Sequence, residues 1–297
     1  MSGSTPRAPW AILAGSLALA LLGPAVVHPA RAVAGDFWDE VRQPGHSAYR
    51  AHVRRAETAL SARRTADALD ATAAAIQALP NEPEAHALRA IALAESGDVP
   101  GMTSEATLAL SLNEAVYDDP VWGARVALLL ATGGEHALAA RVLRRTLATM
   151  APTHMRRQLY TLLGDVAQSL GPDHLDEAAR AYRVALKSGP ADSRTILGLG
   201  LALHRRGQHA EAQLLLRRAV APGPVDQLIA GLPVPRSERA SRTALVAEVG
   251  GDAAAARAAY AEAQEGTVFP EWLTAARARV EGTPSPAPAR GPRRGPR

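Results

Sequence analysis

The stretch SRTILGLGLALHRRGQHAEAQLLLRRAVAPGP, residues 193–224, decides the fold. Gly207 stands between two segments with helical apolar spacing. Glycine accepts the positive φ that a tight turn between two helices needs. Pro224 closes the stretch, and proline cannot continue a helix. In the second segment Ala212, Leu216 and Ala219 alternate small, large and small. Small side chains let two antiparallel helices cross closely, and a large one fills the space beside them.

The pattern recurs outward from there. Gly97, Gly134, Gly171, Gly207 and Gly251 each follow one helical stretch and precede another, at intervals of 37, 37, 36 and 44 residues. The preceding unit has Tyr160, Leu163-Gly164, Gly171, then Ala178, Tyr182, Ala185 and Pro190, with a longer turn at Pro172-Asp173-His174. Weaker copies lie at 49–80 (Ala68, Ala75, Pro80), 83–114 (Ala90, Leu93, Gly97), 120–152 (Gly134, Ala139, Leu143) and 237–266 (Gly251-Asp252, Ala256, Tyr260, Ala263). No run alternates with period two, so a sheet is not expected.

This ordered recurrence resembles the tetratricopeptide repeat family, whose unit is a helix, a turn and a second helix. The resemblance implies an all-α fold: a right-handed superhelical solenoid of about six antiparallel helix pairs over 49–266. A capping segment is expected at 35–48, around Phe37 and Trp38, and a capping helix at 267–282, around Phe269 and Trp272. The resemblance also implies a concave groove lined by the first helix of each pair. Its positions fall at Ala87, Ile91 and Ala94, at Ala124, Leu128 and Ala131, at Thr161, Asp165 and Gln168, and at Leu197, Leu201 and His204. Each apolar one could equally be core between repeats. Ala87, Ala124, Thr161 and Leu197 stand where some members place a basic residue against a partner's C-terminal carboxylate, so no such clamp is expected.

The ends differ from this body. Residues 1–34 read as a secretory leader: Arg7, an apolar run from Trp10 to Leu22, the break at Gly23-Pro24, and Ala32-Val33-Ala34 as a small-x-small cleavage site. Cleavage after Ala34 is expected, leaving no transmembrane span. The alternative is an uncleaved anchor, since Trp10–Val27 is 18 residues, at the lower bound for a span. Residues 283–297 hold five prolines and Arg290, Arg293, Arg294 and Arg297 without an acid, the composition of a disordered tail. Those four arginines are candidate contacts to anionic envelope polymer.

The net charge is +4, and the two ends supply six positive charges, which leaves 35–282 near −2. A nucleic-acid partner is therefore not expected. The absence of cysteine excludes disulfides, thiol catalysis, zinc–thiolate sites and a lipid-modified N-terminal cysteine. Gly198-Leu199-Gly200 lacks the third glycine of a nucleotide-binding run and lies inside an expected helix, so it reads as packing. His204 and His209 straddle a turn without metal-ligand spacing. No catalytic residue, metal or cofactor is expected. The sequence points to a non-enzymatic interaction scaffold or adaptor of the cell envelope that binds peptide or helix segments of other proteins in the groove. Its alternative is an accessory or structural subunit of an envelope polysaccharide or secretion complex, held through its outer face and basic tail.

Overall fold

A computed structural model describes residues 44–150, 154–190, 192–220 and 229–282. The expected leader, most of the N-terminal capping segment and the arginine tail lie outside the described residues. Among the described residues there are thirteen α-helices and no strand. Twelve make six consecutive pairs. These are α1 (His46–Ser61) with α2 (Thr65–Ala78), α3 (Pro83–Ser96) with α4 (Val99–Leu112), and α5 (Pro120–Thr132) with α6 (His136–Thr149). Then come α7 (His154–Ser169) with α8 (Leu175–Lys187), α9 (Ser193–Arg205) with α10 (His209–Val220), and α11 (Arg236–Gly250) with α12 (Ala253–Glu262). The last described helix is α13 (Pro270–Glu281), which packs against α12. Two compact units divide inside α7, between Leu159 and Tyr160.

The turns show why the chain reverses where it does. All five periodic glycines have positive φ, from 78° at Gly207 to 111° at Gly171. At Gly97 the amide donates to Ala94 O at 3.0 Å and the next amide, of Asp98, to Leu93 O at 2.9 Å, which uses carbonyls that the helix end leaves free. The Asp98 carboxylate then accepts from Gly101 N at 2.9 Å and starts the following helix. Gly251-Asp252 repeats the device, with Asp252 N donating to Ala247 O at 2.9 Å and Asp252 Oδ1 accepting from Ala255 N at 2.9 Å. A glycine that ends one helix beside an aspartate that begins the next is a complete hairpin signal in two residues. The longer turn after Gly171 holds a 3-10 helix, Pro172–His174. Pro83, Pro120 and Pro270 open their helices, where the missing N–H costs nothing.

In the first unit the core is built mostly from alanine. Ala56, Ala68, Ala90, Ala106, Ala127 and Ala139 are fully buried, with Tyr49, Ile91, Met102, Tyr117, Leu130 and Leu143 as the large fillers.

The second unit shows the small-large-small register most clearly. Tyr182 of α8 is fully buried between α7 and α9. A Cβ on Gly164 would stand 2.6 Å from Tyr182 Cζ, and one on Gly198 would stand 2.5 Å from Tyr182 Cε1. A Cβ on Gly200 would stand 2.9 Å from Leu216 Cγ. The glycine run of α9 is therefore a seat for Tyr182 and Leu216. Gly198→Ala is expected to lower stability by about 1–3 kcal/mol through overpacking. At an open helical position the same exchange gains up to about 1 kcal/mol. Gly250→Ala, with nothing near its Cβ, is the matched control. Urea midpoints of the two variants should move in opposite directions.

The stretch before α11 is irregular, as Leu232-Pro233-Val234-Pro235 implies. Residues 229 and 230 are helical, Leu232 and Val234 are buried, and Pro235 precedes the first turn of α11.

Candidate functional site

The first helices of the pairs carry the expected partner-binding positions. In the first unit Ala87, Ile91, Ala124 and Ala131 are buried, while Ala94 and Leu128 are half-buried. Beside Leu128 on α5 are two residues that the repeat pattern does not mark, Trp122 and Arg125. The Arg125 guanidinium lies 5.6 Å from the ring centre of half-buried Trp122. It also pairs with Glu95 of α3 and donates to Leu60 O of α1 at 3.3 Å. One side chain thus ties together the first helices of three successive pairs. The available signal was local: Trp122, Arg125 and Leu128 sit at i, i+3 and i+6, along one side of a helix.

In the second unit the expected groove positions are closed. Thr161, Asp165, Gln168, Leu197, Leu201 and His204 are all buried, none more than 7% exposed. This corrects the expectation of an open lining here. The cover comes from the same chain. Arg242 of α11 is fully buried and donates to Asp165 Oδ1 at 2.7 Å. Arg194 of α9 donates to Asp165 Oδ2 at 2.7 and 3.1 Å, and the Tyr182 hydroxyl donates to Oδ1 at 2.7 Å. Gln168 Nε2 donates to the Tyr182 hydroxyl at 2.9 Å and to Gly198 O at 3.1 Å. Thr161 and Thr195 share a hydroxyl–hydroxyl bond of 2.8 Å. Leu197 and Leu201 lie in one apolar cluster with Leu216 and with Leu245 of α11, and Trp272 of α13 packs against it.

A second carboxylate extends the network. Glu238 of α11 accepts both Nη atoms of Arg205 at 2.8 and 2.9 Å, and Nε of Arg242 at 3.2 Å. Arg205 lies 4.0 Å from the ring centre of Phe269 and 4.8 Å from that of Trp272. Burial pushes the Asp165 carboxyl up, but Arg242, Arg194 and the Tyr182 hydroxyl outweigh it and hold the group below the usual carboxylate range. Burial and the adjacent Asp165 carboxylate push the Tyr182 hydroxyl up, so it remains a donor.

His204 completes the site. Its Nδ1 accepts from Trp272 Nε1 at 3.1 Å, and its ring meets those of Trp272 and His209 edge-on. Burial, then the charge of Arg279, lowers its pKa to about 4. Below the unfolded value of about 6.5 the unfolded chain takes up a proton that folded His204 refuses. This contribution therefore weakens as pH falls from about 6.5 towards 4 and levels off below.

Among the described residues no group of three or more His, Cys, Asp or Glu is placed to hold a metal, and no helix is long and apolar enough to cross a membrane. In the second unit, apolar and charged positions on first helices receive side chains from α11 and from the start of α13. Among the described residues the fold is an all-α repeat of consecutive helix pairs.

No family model and no curated protein matches the chain. Solved structures similar to it include pilF of Pseudomonas aeruginosa, at 14% identity and a TM-score of 0.44, covering 76% of this chain and 96% of that one. PilW, a widely conserved type IV pilus biogenesis factor, is similar at 15% identity and a TM-score of 0.44, with coverage of 76% and 96%. The C-terminal part of a TPR repeat-containing protein from Cytophaga hutchinsonii is similar at 13% identity and a TM-score of 0.43, with coverage of 77% and 87%.

Proposed function

We propose that the protein is a non-enzymatic scaffold or adaptor that binds helical or extended segments of other proteins. The observation that carries this is the covered face of the second unit. There the first-helix positions Leu197, Leu201, His204 and Arg205 receive Leu245, Glu238, Phe269 and Trp272 from α11 and α13. A surface of this chemistry suits an amphipathic helix. The first unit offers the related positions Ala94 and Leu128, half-buried, with Trp122 and Arg125 alongside. These are the residues assigned to partner contact. The reading of 1–34 as a leader supports a place in the cell envelope, with cleavage after Ala34.

A second reading places contact on the second helices. Leu214 of α10 is 71% exposed and Val184 of α8 is 38% exposed, so the second helices of two successive pairs each present an open apolar side chain. In that reading the protein is an accessory subunit of an envelope polysaccharide or secretion assembly, with Arg290, Arg293, Arg294 and Arg297 on anionic polymer.

Site-specific photo-crosslinking in envelope preparations separates the two. A photoreactive residue at position 128 should capture one discrete protein band, and one at position 214 should not. Capture only from 214 would favour the outer-face reading, and capture from neither would remove the scaffold proposal.

A further inference from the structure

The first turn of α13 meets α9 at a titratable group. Trp272 Nε1–H donates to His204 Nδ1, so this nitrogen is unprotonated and the ring proton of the neutral form sits on Nε2. The groups facing His204 are Arg205 on α9, His209 on α10, Glu248 on α11, and Arg279 with Trp272 on α13. Glu248 alone favours a cation there, and its oxygens already accept from Tyr260 Oη at 2.5 Å and from Arg279 Nε at 3.0 Å. A proton on Nδ1 would set one N–H donor against another. It would also add a positive charge beside Arg205, whose guanidinium holds the Phe269 and Trp272 rings by its face. α13 has a second anchor: Leu273 and Ala276 are buried in an apolar cluster with Ala240, Ala244, Ala256 and Tyr260 of α11 and α12, and the Trp272 ring also packs there, edge-on to Tyr260 at 5.9 Å.

We propose that His204 is an acid-sensitive latch that fastens the Phe269–Trp272 turn of α13 onto α9. Protonation of His204 releases the Trp272 indole N–H and loosens the cover over Arg205, while Leu273 and Ala276 keep α13 docked on α11 and α12. The latch depends on geometry that only the neutral imidazole can satisfy, and it acts whatever partner the protein binds.

The test is a pH titration of the full-length chain labelled with nitrogen-15 at tryptophan. The sequence has four tryptophans, so four indole signals are followed, and Trp272→Phe assigns the one at issue. Between pH 7 and 3 the Trp272 indole signal should move to the position of a free indole, with a midpoint near 4, and its hydrogen exchange should rise at least tenfold at that transition. Helix content by circular dichroism should hold through the same range. His204→Asn keeps an acceptor near the Nδ1 position but does not titrate there, and should leave the Trp272 signal in its bonded position throughout. Glu248→Gln removes the facing carboxylate and should retain the transition, at a lower midpoint. A Trp272 signal that stays fixed in the wild type overturns the proposal. So does a transition unchanged in His204→Asn, or one abolished in Glu248→Gln.

Discussion

Asp165→Ala is expected to destabilise the second unit by about 3–5 kcal/mol, the cost of stripping one partner from a buried ion pair. The carboxylate is fully buried and accepts from Arg242, Arg194 and Tyr182. Without it, Arg242 keeps only Glu238, and Glu238 is already shared with Arg205. Arg242 has no route to relief, because its side chain is 0% exposed and a guanidinium does not deprotonate in proteins. Arg194, at 17% exposure, can turn towards water and adds less. The pair also explains how the loss can be reversed. Replacing both members with apolar residues of similar volume, Asp165→Leu with Arg242→Met, should recover most of the lost stability, because no charge is then left buried without its partner. Urea denaturation followed by circular dichroism measures both. A single variant that loses less than about 1 kcal/mol, the range of an exposed pair, would show the network to be solvated.

The paired helices were legible because their punctuation is local. Gly97-Asp98 and Gly251-Asp252 carry the end of one helix and the start of the next in adjacent residues, and Ala178, Tyr182 and Ala185 set the register within a single helix. Gly198 and Gly200 pack, as their place inside one helix predicts. Their contacts are to Tyr182 and Leu216, each within one repeat length.

The state of the first-helix face was not legible, for a different reason. Asp165 and Arg242 are 77 residues apart, and His204 and Trp272 are 68 apart. Glu238 and Arg242 stand at i and i+4, a spacing that ordinarily describes a solvent-exposed ion pair on a helix. Nothing within α11 says that this face is buried. That depends on the irregular stretch before Pro235, which delivers α11 against α7 and α9. The sequence located the positions and could not tell that the same chain fills them. Trp122 and Arg125 were missed because a lone tryptophan beside an arginine carries no repeat signal. Their role appears only when Glu95 of α3 and Leu60 of α1 are brought alongside.

That self-filling makes Leu201 the decisive residue. On an open groove, Leu201→Glu would weaken a partner and leave the fold nearly intact. In the structure Leu201 is 0% exposed and shares a cluster with Leu197, Leu216 and Leu245, with Trp272 packed against it. A glutamate there must leave its carboxylate unpaired among apolar side chains, or take up a proton and still leave polar atoms without partners. Removal of the leucine packing alone costs about 2–5 kcal/mol in a buried site, and the polar group adds to it. Arg205 and Arg242 cannot compensate, since both are committed to Glu238. The measurement is the unfolding free energy of Leu201→Glu against wild type by urea titration. A loss of about 4 kcal/mol or more, or failure to fold, is what a face closed by the chain's own helices requires. A change within about 0.5 kcal/mol, as for a surface site, would contradict it.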